Sequence, residues 1–150
     1  MPEQKPVVVR ESSSLEVSGG QTEGMIRSNA LVGLTPNICA SRMIAKPHTA
    51  SAVHHHGEQD TVVFSFSGYG TVVSEGGNKR QNLSPGDFAL IPYVFQRLTT
   101  GKHEILIIMF PDSAFAEHQE VNESDEDVVW CIVRSGGEPC VVNIDGWGKS

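Results

Sequence analysis

The chain has 150 residues, a formal net charge of -7, 19% charged and 39% hydrophobic residues, which suits one globular domain with its own core. An acidic surface without a Lys/Arg cluster repels phosphate backbones, so nucleic acid is not an expected partner. The longest apolar run, Ile105 to Phe110, falls far short of the roughly 20 residues of a membrane-spanning helix, so no membrane partner is expected either.

The opening Met1-Pro2-Glu3-Gln4-Lys5-Pro6 lacks the basic start and apolar run of a signal peptide. Cys39, Cys131 and Cys140 are odd in number and have no C-x-x-C spacing, which predicts buried, reduced thiols in a cytoplasmic protein. Residues 1–24 read as a loosely ordered N-terminal segment. They hold a short β-like run, Val7-Val8-Val9, then Ser12-Ser13-Ser14 and Gly19-Gly20, with little to bury.

Residues 25–150 read as one β domain. Ile38 to Ala45 alternates small and apolar residues and stops before Pro47. Thr61 to Phe66, β-branched and aromatic, stops at Gly68. Thr71-Val72-Val73 leads into a hairpin turn at Gly76-Gly77-Asn78, and Ser84-Pro85-Gly86-Asp87 turns the chain into a strand over Phe88 to Ile91. Val128 to Val133 predicts a core strand, with Val141-Val142 as an added edge strand. Trp130 on that strand reads as core packing, as do Phe64 and Phe66 on a shared face, with Ser65 and Ser67 opposite. No segment sustains a helical period, and short strands with Gly/Pro punctuation predict a sandwich or barrel. The acidic run Glu123 to Asp127 reads as a solvated turn. Gly146-Trp147-Gly148-Lys149-Ser150 lacks the spacing of a phosphate loop, and Trp147 is expected to dock the tail on the barrel or on a partner subunit.

The stretch with chemical content is Val53-His54-His55-His56-Gly57-Glu58-Gln59-Asp60. On an extended strand His54 and His56 project to one face and His55 to the other. Imidazoles with a carboxylate nearby, Glu58 or Asp60, suit a divalent transition metal. Taken alone, the stretch fits a His-rich turn that binds nothing equally well.

Together with Pro85-Gly86-Asp87-Phe88-Ala89-Leu90-Ile91-Pro92 and His118-Gln119-Glu120-Val121-Asn122, the stretch resembles the two motifs of the cupin family, G-x5-H-x-H-x3,4-E-x6-G and G-x5-P-x-G-x2-H-x3-N. The matching residues are His54, His56, a carboxylate and Gly68 in the first, and Gly86, Pro92, His118 and Asn122 in the second. The resemblance implies an all-β cupin jelly-roll β-barrel (a double-stranded β-helix). It also implies one divalent transition metal ion (iron, manganese, nickel, copper or zinc) held by His54, His56, Asp60 and His118.

The chain departs from the pattern in three places. The family's Glu position, counted back from Gly68, holds Thr61, so Asp60 is the expected carboxylate ligand with Glu58 in reserve. His48 stands at the first Gly position and reads as an exposed turn residue. Between Pro92 and His118 lie 25 residues where the motif has four. The surplus, at about 93–113, reads either as an additional hairpin, since Glu104 to Phe110 looks like a strand, or as translated intron sequence. Strict spacing would instead put Arg97 at the His position, and a guanidinium has no lone pair to offer a metal.

The resemblance implies a metal-dependent enzyme acting on a small organic molecule inside the barrel. A dioxygenase-like oxidoreductase is the first expectation, with an isomerase or decarboxylase as other family types. The competing expectations are a non-catalytic small-molecule-binding cupin and a cupin whose metal site the insert disrupts. A homodimer is expected, because cupins often pair edge strands and exposed edges need cover.

Overall fold

A computed structural model describes residues 6–18, 22–93, 96–100, 103–107 and 115–149. In chain order its strands are β1 (Glu16–Val17), β2 (Met25–Leu31), β3 (Ile38–Ala45), β4 (Thr49–Ala50), β5 (His54–His55), β6 (Thr61–Ser67) and β7 (Gly70–Ser74). After these come β8 (Lys79–Leu83), β9 (Phe88–Ile91), β10 (Gln96–Thr100), β11 (His103–Ile107), β12 (His118–Asn122), β13 (Val128–Ser135) and β14 (Val142–Asn143). Only two single turns of 3-10 helix, Ser12–Ser14 and Glu75–Gly77, interrupt the β-structure among the described residues.

The strands form two antiparallel sheets. One has the order β1-β2-β3-β13-β6-β9, and the other runs β14-β5-β12-β7-β8 with β4 beside β12. Among the described residues, strands β10 and β11 pair with each other alone, Gln96 opposite Ile107 and Thr100 opposite His103. The surplus segment therefore contains a hairpin.

The core lies between the sheets and is built from inward residues of alternating strands: Met43 and Ala45 on β3, Val63 on β6, Val128, Trp130 and Ile132 on β13, and Val72, Leu83 and Ile91. Strand β13 shows the period of two directly, since Val128, Trp130, Ile132 and Arg134 are buried in turn. Trp130 is fully buried. Its ring fits because Gly70 faces it across the core, where any side chain would overlap the indole, and because its register partner on β6 is the small Ser65.

This pairing overturns the expected orientation of β6. Ser65 is the buried residue, while Phe66 is 68% exposed and Phe64 packs against Phe88 on the outer face, ring centroids 4.7 Å apart and the rings tilted by 46°. An indole and two phenyl rings would overfill that layer, so volume sets the parity. The cysteines also differ from expectation: Cys39 is buried, but Cys131 is exposed on the outer face of β13 and Cys140 is half-buried. Trp147 lies against Gly77 at the β7–β8 turn, which seats the tail on the barrel.

Asn122, fully buried, ends β12. Its Nδ2 lies 2.9, 3.1 and 2.8 Å from the carbonyl oxygens of Ala45, Lys46 and Glu126, and its Oδ1 accepts from the Ser124 N–H and hydroxyl. The acidic turn Glu123 to Asp127 is thereby tied to the end of β3. On its outside, Lys46 pairs with Asp127 and Arg80 with Glu123.

Candidate metal centre

Strand pairing brings the histidines together. His118 on β12 is the register partner of His54 on β5 on one side and of Ser74 on the other. The His54 and His118 ring centroids are 4.2 Å apart, and those of His56 and His118 are 4.6 Å apart. Glu120, two residues beyond His118, projects to the same face by strand alternation. One ligand atom from each of His54, His56, His118 and Glu120 lies within 4.8 Å of all the others, and all four residues are buried.

The outer hydrogen bonds fix which ring nitrogen is free. His54 Nδ1 is 2.9 Å from the Ala52 carbonyl and His118 Nδ1 is 2.7 Å from that of Ala116. A carbonyl can only accept, so both rings carry the proton on Nδ1 and leave the Nε2 lone pair bare. His56 Nδ1 lies 2.7 Å from the Thr61 hydroxyl. Its Nε2 faces Arg134 Nη2 at 3.4 Å, a donor, so the same tautomer follows. Glu120 accepts from the Ser51 hydroxyl at 2.9 Å and sits 3.6 Å from His54 Nε2 and 3.5 Å from His118 Nε2.

Burial and charge set the protonation states. Burial, with the Arg134 charge next, drives His56 down to about 2, and burial also lowers His54 against the pull of Glu120. Burial alone would raise the Glu120 carboxyl, but the imidazoles, His54 foremost, hold it well below the carboxylate range. Burial thus favours the neutral form of His54 and His56, the form in which an imidazole binds a metal.

The donor set fits a divalent transition ion. Converging lone pairs repel one another unless a cation lies between them, and His118 Nε2 is buried with no hydrogen-bond partner. An ion bound there would be held by His54, His56, His118 and Glu120, and would have to displace the Arg134 contact with His56.

Asp60, expected as the carboxylate ligand, lies elsewhere. It is exposed, and its carboxylate accepts the Tyr93 N–H at 2.7 Å. The cause is parity: on β6 the inward residues are Thr61, Val63 and Ser65, so Asp60 faces out. Glu58 is exposed as well. The inward position belongs to Thr61, which orients His56 rather than offering a carboxylate, and the carboxylate comes from β12 instead. The rule that pairs His54 with His56 would have found Glu120, since it stands at i+2 from His118. His55 stays out of the cluster, stacked on Phe115 with centroids 4.0 Å apart. His48 is an exposed turn residue 2.8 Å from Asp125.

A cavity of about 810 Å³ reaches the centre at His118, walled by Val72, Leu83, Ile91, Phe115 and Ala116.

The lowered imidazoles make a prediction for the metal-free protein. Their folded-state pKa values lie below the ordinary one, so the unfolded chain binds protons first as pH falls through about 6.5. Stability therefore falls with pH, by up to about 1.4 kcal/mol per pH unit for each buried imidazole. Thermal melts at about pH 7.5 and about pH 5.5 should show a lower Tm at the acid value, and a shallower dependence in His56→Gln. Equal slopes in both proteins would contradict the assignment.

No family model and no curated protein matches the sequence. Solved structures do. The polyketide cyclase RemF from Streptomyces resistomycificus aligns with a TM-score of 0.65 at 12% identity, over 98% of this chain and 89% of its own. KdgF from a Halomonas species aligns with a TM-score of 0.60 at 18% identity, over 87% of this chain and 94% of its own. A cupin 2 conserved barrel domain protein from Salinispora arenicola aligns with a TM-score of 0.56 at 17% identity, over 88% of this chain and 89% of its own. With its two antiparallel sheets and the histidines of both motifs at one point inside them, the chain has the fold of the cupins, the double-stranded β-helix.

Proposed function

We propose that the protein is a metal-dependent enzyme that transforms a small organic molecule inside its barrel, with His54, His56, His118 and Glu120 as the metal ligands. The observation that supports this reading is the buried three-histidine, one-carboxylate cluster opening onto a cavity large enough for a small substrate. A divalent ion bound there supplies Lewis-acid polarisation of a substrate oxygen, and a redox-active one supplies electron transfer as well. The chain's own contribution is to fix the three rings through Ala52, Ala116 and Thr61, to keep the carboxylate ionised, and to offer beside it a cavity whose lining mixes apolar residues such as Val72 and Leu83 with polar ones such as Gln81 and Asn82.

Within that class a dioxygenase-like oxidoreductase is the first reading. Fold alone does not select it, since one structure of the same fold is named a polyketide cyclase. The test is oxygen uptake by untagged, metal-reconstituted protein with phenolic and diketone substrates. Oxygen consumption matched by product supports the oxygenase. Substrate conversion without oxygen consumption selects an isomerase, cyclase or decarboxylase instead. Stabilisation by these compounds with no turnover would overturn the enzyme reading in favour of a binding protein.

A further inference from the structure

The cavity beside His118 is one-sided in its charge. Three carboxylates line it, Glu75, Asp87 and Glu117, and no Lys or Arg stands among the described residues of its walls. The chain holds each carboxylate in place. Glu75 pairs with Lys79 at 3.0 Å, Asp87 accepts the Ser84 N–H at 2.7 Å, and Glu117 accepts the Gly148 N–H at 2.6 Å.

Two neutral polar side chains line the same space. Ser74 on β7 is the register partner of His118, and Gln81 on β8 is the partner of Val72, two residues before Ser74. Among the described residues neither the Ser74 hydroxyl nor the Gln81 amide has a hydrogen-bond partner. His118, whose buried Nε2 also lacks one, lines the cavity beside them. Asn82 differs, since its Oδ1 already accepts from the Thr71 hydroxyl at 3.0 Å. An anion entering here would shed water against carboxylates, with no described cation in the walls to offset the loss. An uncharged ring sheds less, packs on Val72, Leu83 and Ile91, and can donate from a hydroxyl to oxygens that only accept.

We propose that the cavity is a charge filter. It takes an uncharged, hydroxyl-bearing ring compound, held beside His118 by Ser74 and Gln81, and turns anions away through Glu75, Asp87 and Glu117. This inference deepens the reading of a small organic substrate, on which it rests, by giving that substrate a charge class and two contacts.

The experiment compares para-hydroxybenzamide with para-hydroxybenzoate, which share ring and phenol and differ in charge, by calorimetric titration of metal-free and zinc-loaded protein. In the metal-free wild type the amide should bind saturably and the anion at least about tenfold more weakly, a gap that shrinks as salt is raised. The double variant Glu75→Gln/Asp87→Asn removes two charges and keeps both shapes. It should raise the affinity for the anion at least about threefold and leave the amide unchanged. Ser74→Ala and Gln81→Leu should each weaken the amide about fivefold. Zinc content is measured on the same samples, so charge discrimination in a chain that holds no zinc would sink the metal reading alone. Equal binding of the two compounds, binding of neither, anion affinity unmoved by the double variant, or amide affinity undiminished in both Ser74→Ala and Gln81→Leu would overturn the inference. If Gln81→Leu does not fold, the wild-type pair, the double variant and Ser74→Ala decide.

Discussion

Replacing His118 with alanine should lower the affinity for a divalent transition ion by more than about 100-fold, beyond the 10- to 100-fold that losing an outer-shell partner costs. His118 joins the two motifs physically: it pairs with His54 across β5 and β12 and lies within the common ligand distance of His56 and Glu120. Without it two imidazoles and one carboxylate remain. Glu120→Gln should also lose metal, because an amide of the same shape offers no charge. Asp60→Ala should bind as wild type does, since Asp60 is exposed and accepts the Tyr93 N–H. Metal per chain, measured by elemental analysis after dialysis of untagged protein, checks all three. Retention in His118→Ala, or loss in Asp60→Ala with Glu120→Gln intact, would reassign the ligands.

Asn122→Leu should cost at least about 3 kcal/mol of stability, although the residue touches no ligand atom. The asparagine is fully buried and serves the carbonyls of Ala45, Lys46 and Glu126 together with the Ser124 N–H. Leucine has similar volume, so the loss comes from polar groups left without partners, each worth about 1–3 kcal/mol. For a chain of this size that corresponds to a fall in Tm of roughly 6–12 °C. Asn122→Asp should be similarly destabilised at neutral pH, because an anion would face carbonyl oxygens, and should recover partly as acid protonates it. Metal stoichiometry of the folded fraction should stay unchanged. A Tm within about 2 °C of wild type, under 1 kcal/mol on the same scale, would show that water replaces the side chain at little cost.

Asn122 and His118 belong to one short strand, which shows why the sequence was legible in one direction only. The motif letters His54, His56, His118 and Asn122 pointed to the strands that meet through their resemblance to the cupin motifs. Strand β3 likewise runs from Ile38 to Ala45 as its alternation predicts. Strand β8, Lys79-Arg80-Gln81-Asn82-Leu83, was not legible: four of its five residues are polar and exposed, and pairing with β7 alone makes it a strand.

Strand periodicity and turn residues, which act over a few positions, determined a sandwich or barrel, and the resemblance to the cupin motifs implied that histidines from both motifs meet in it. Tertiary structure decided which face each residue takes. Trp130 opposite Gly70 left room only for Ser65 in its layer and turned Phe66 outward. The same parity on β6 pointed Thr61 inward and Asp60 to solvent, so the carboxylate at the centre is Glu120 from another strand. Arg134 followed the buried parity of β13 into the interior. Parity within a strand can be read from sequence, but its sign depends on volume and charge supplied by strands far away in the chain.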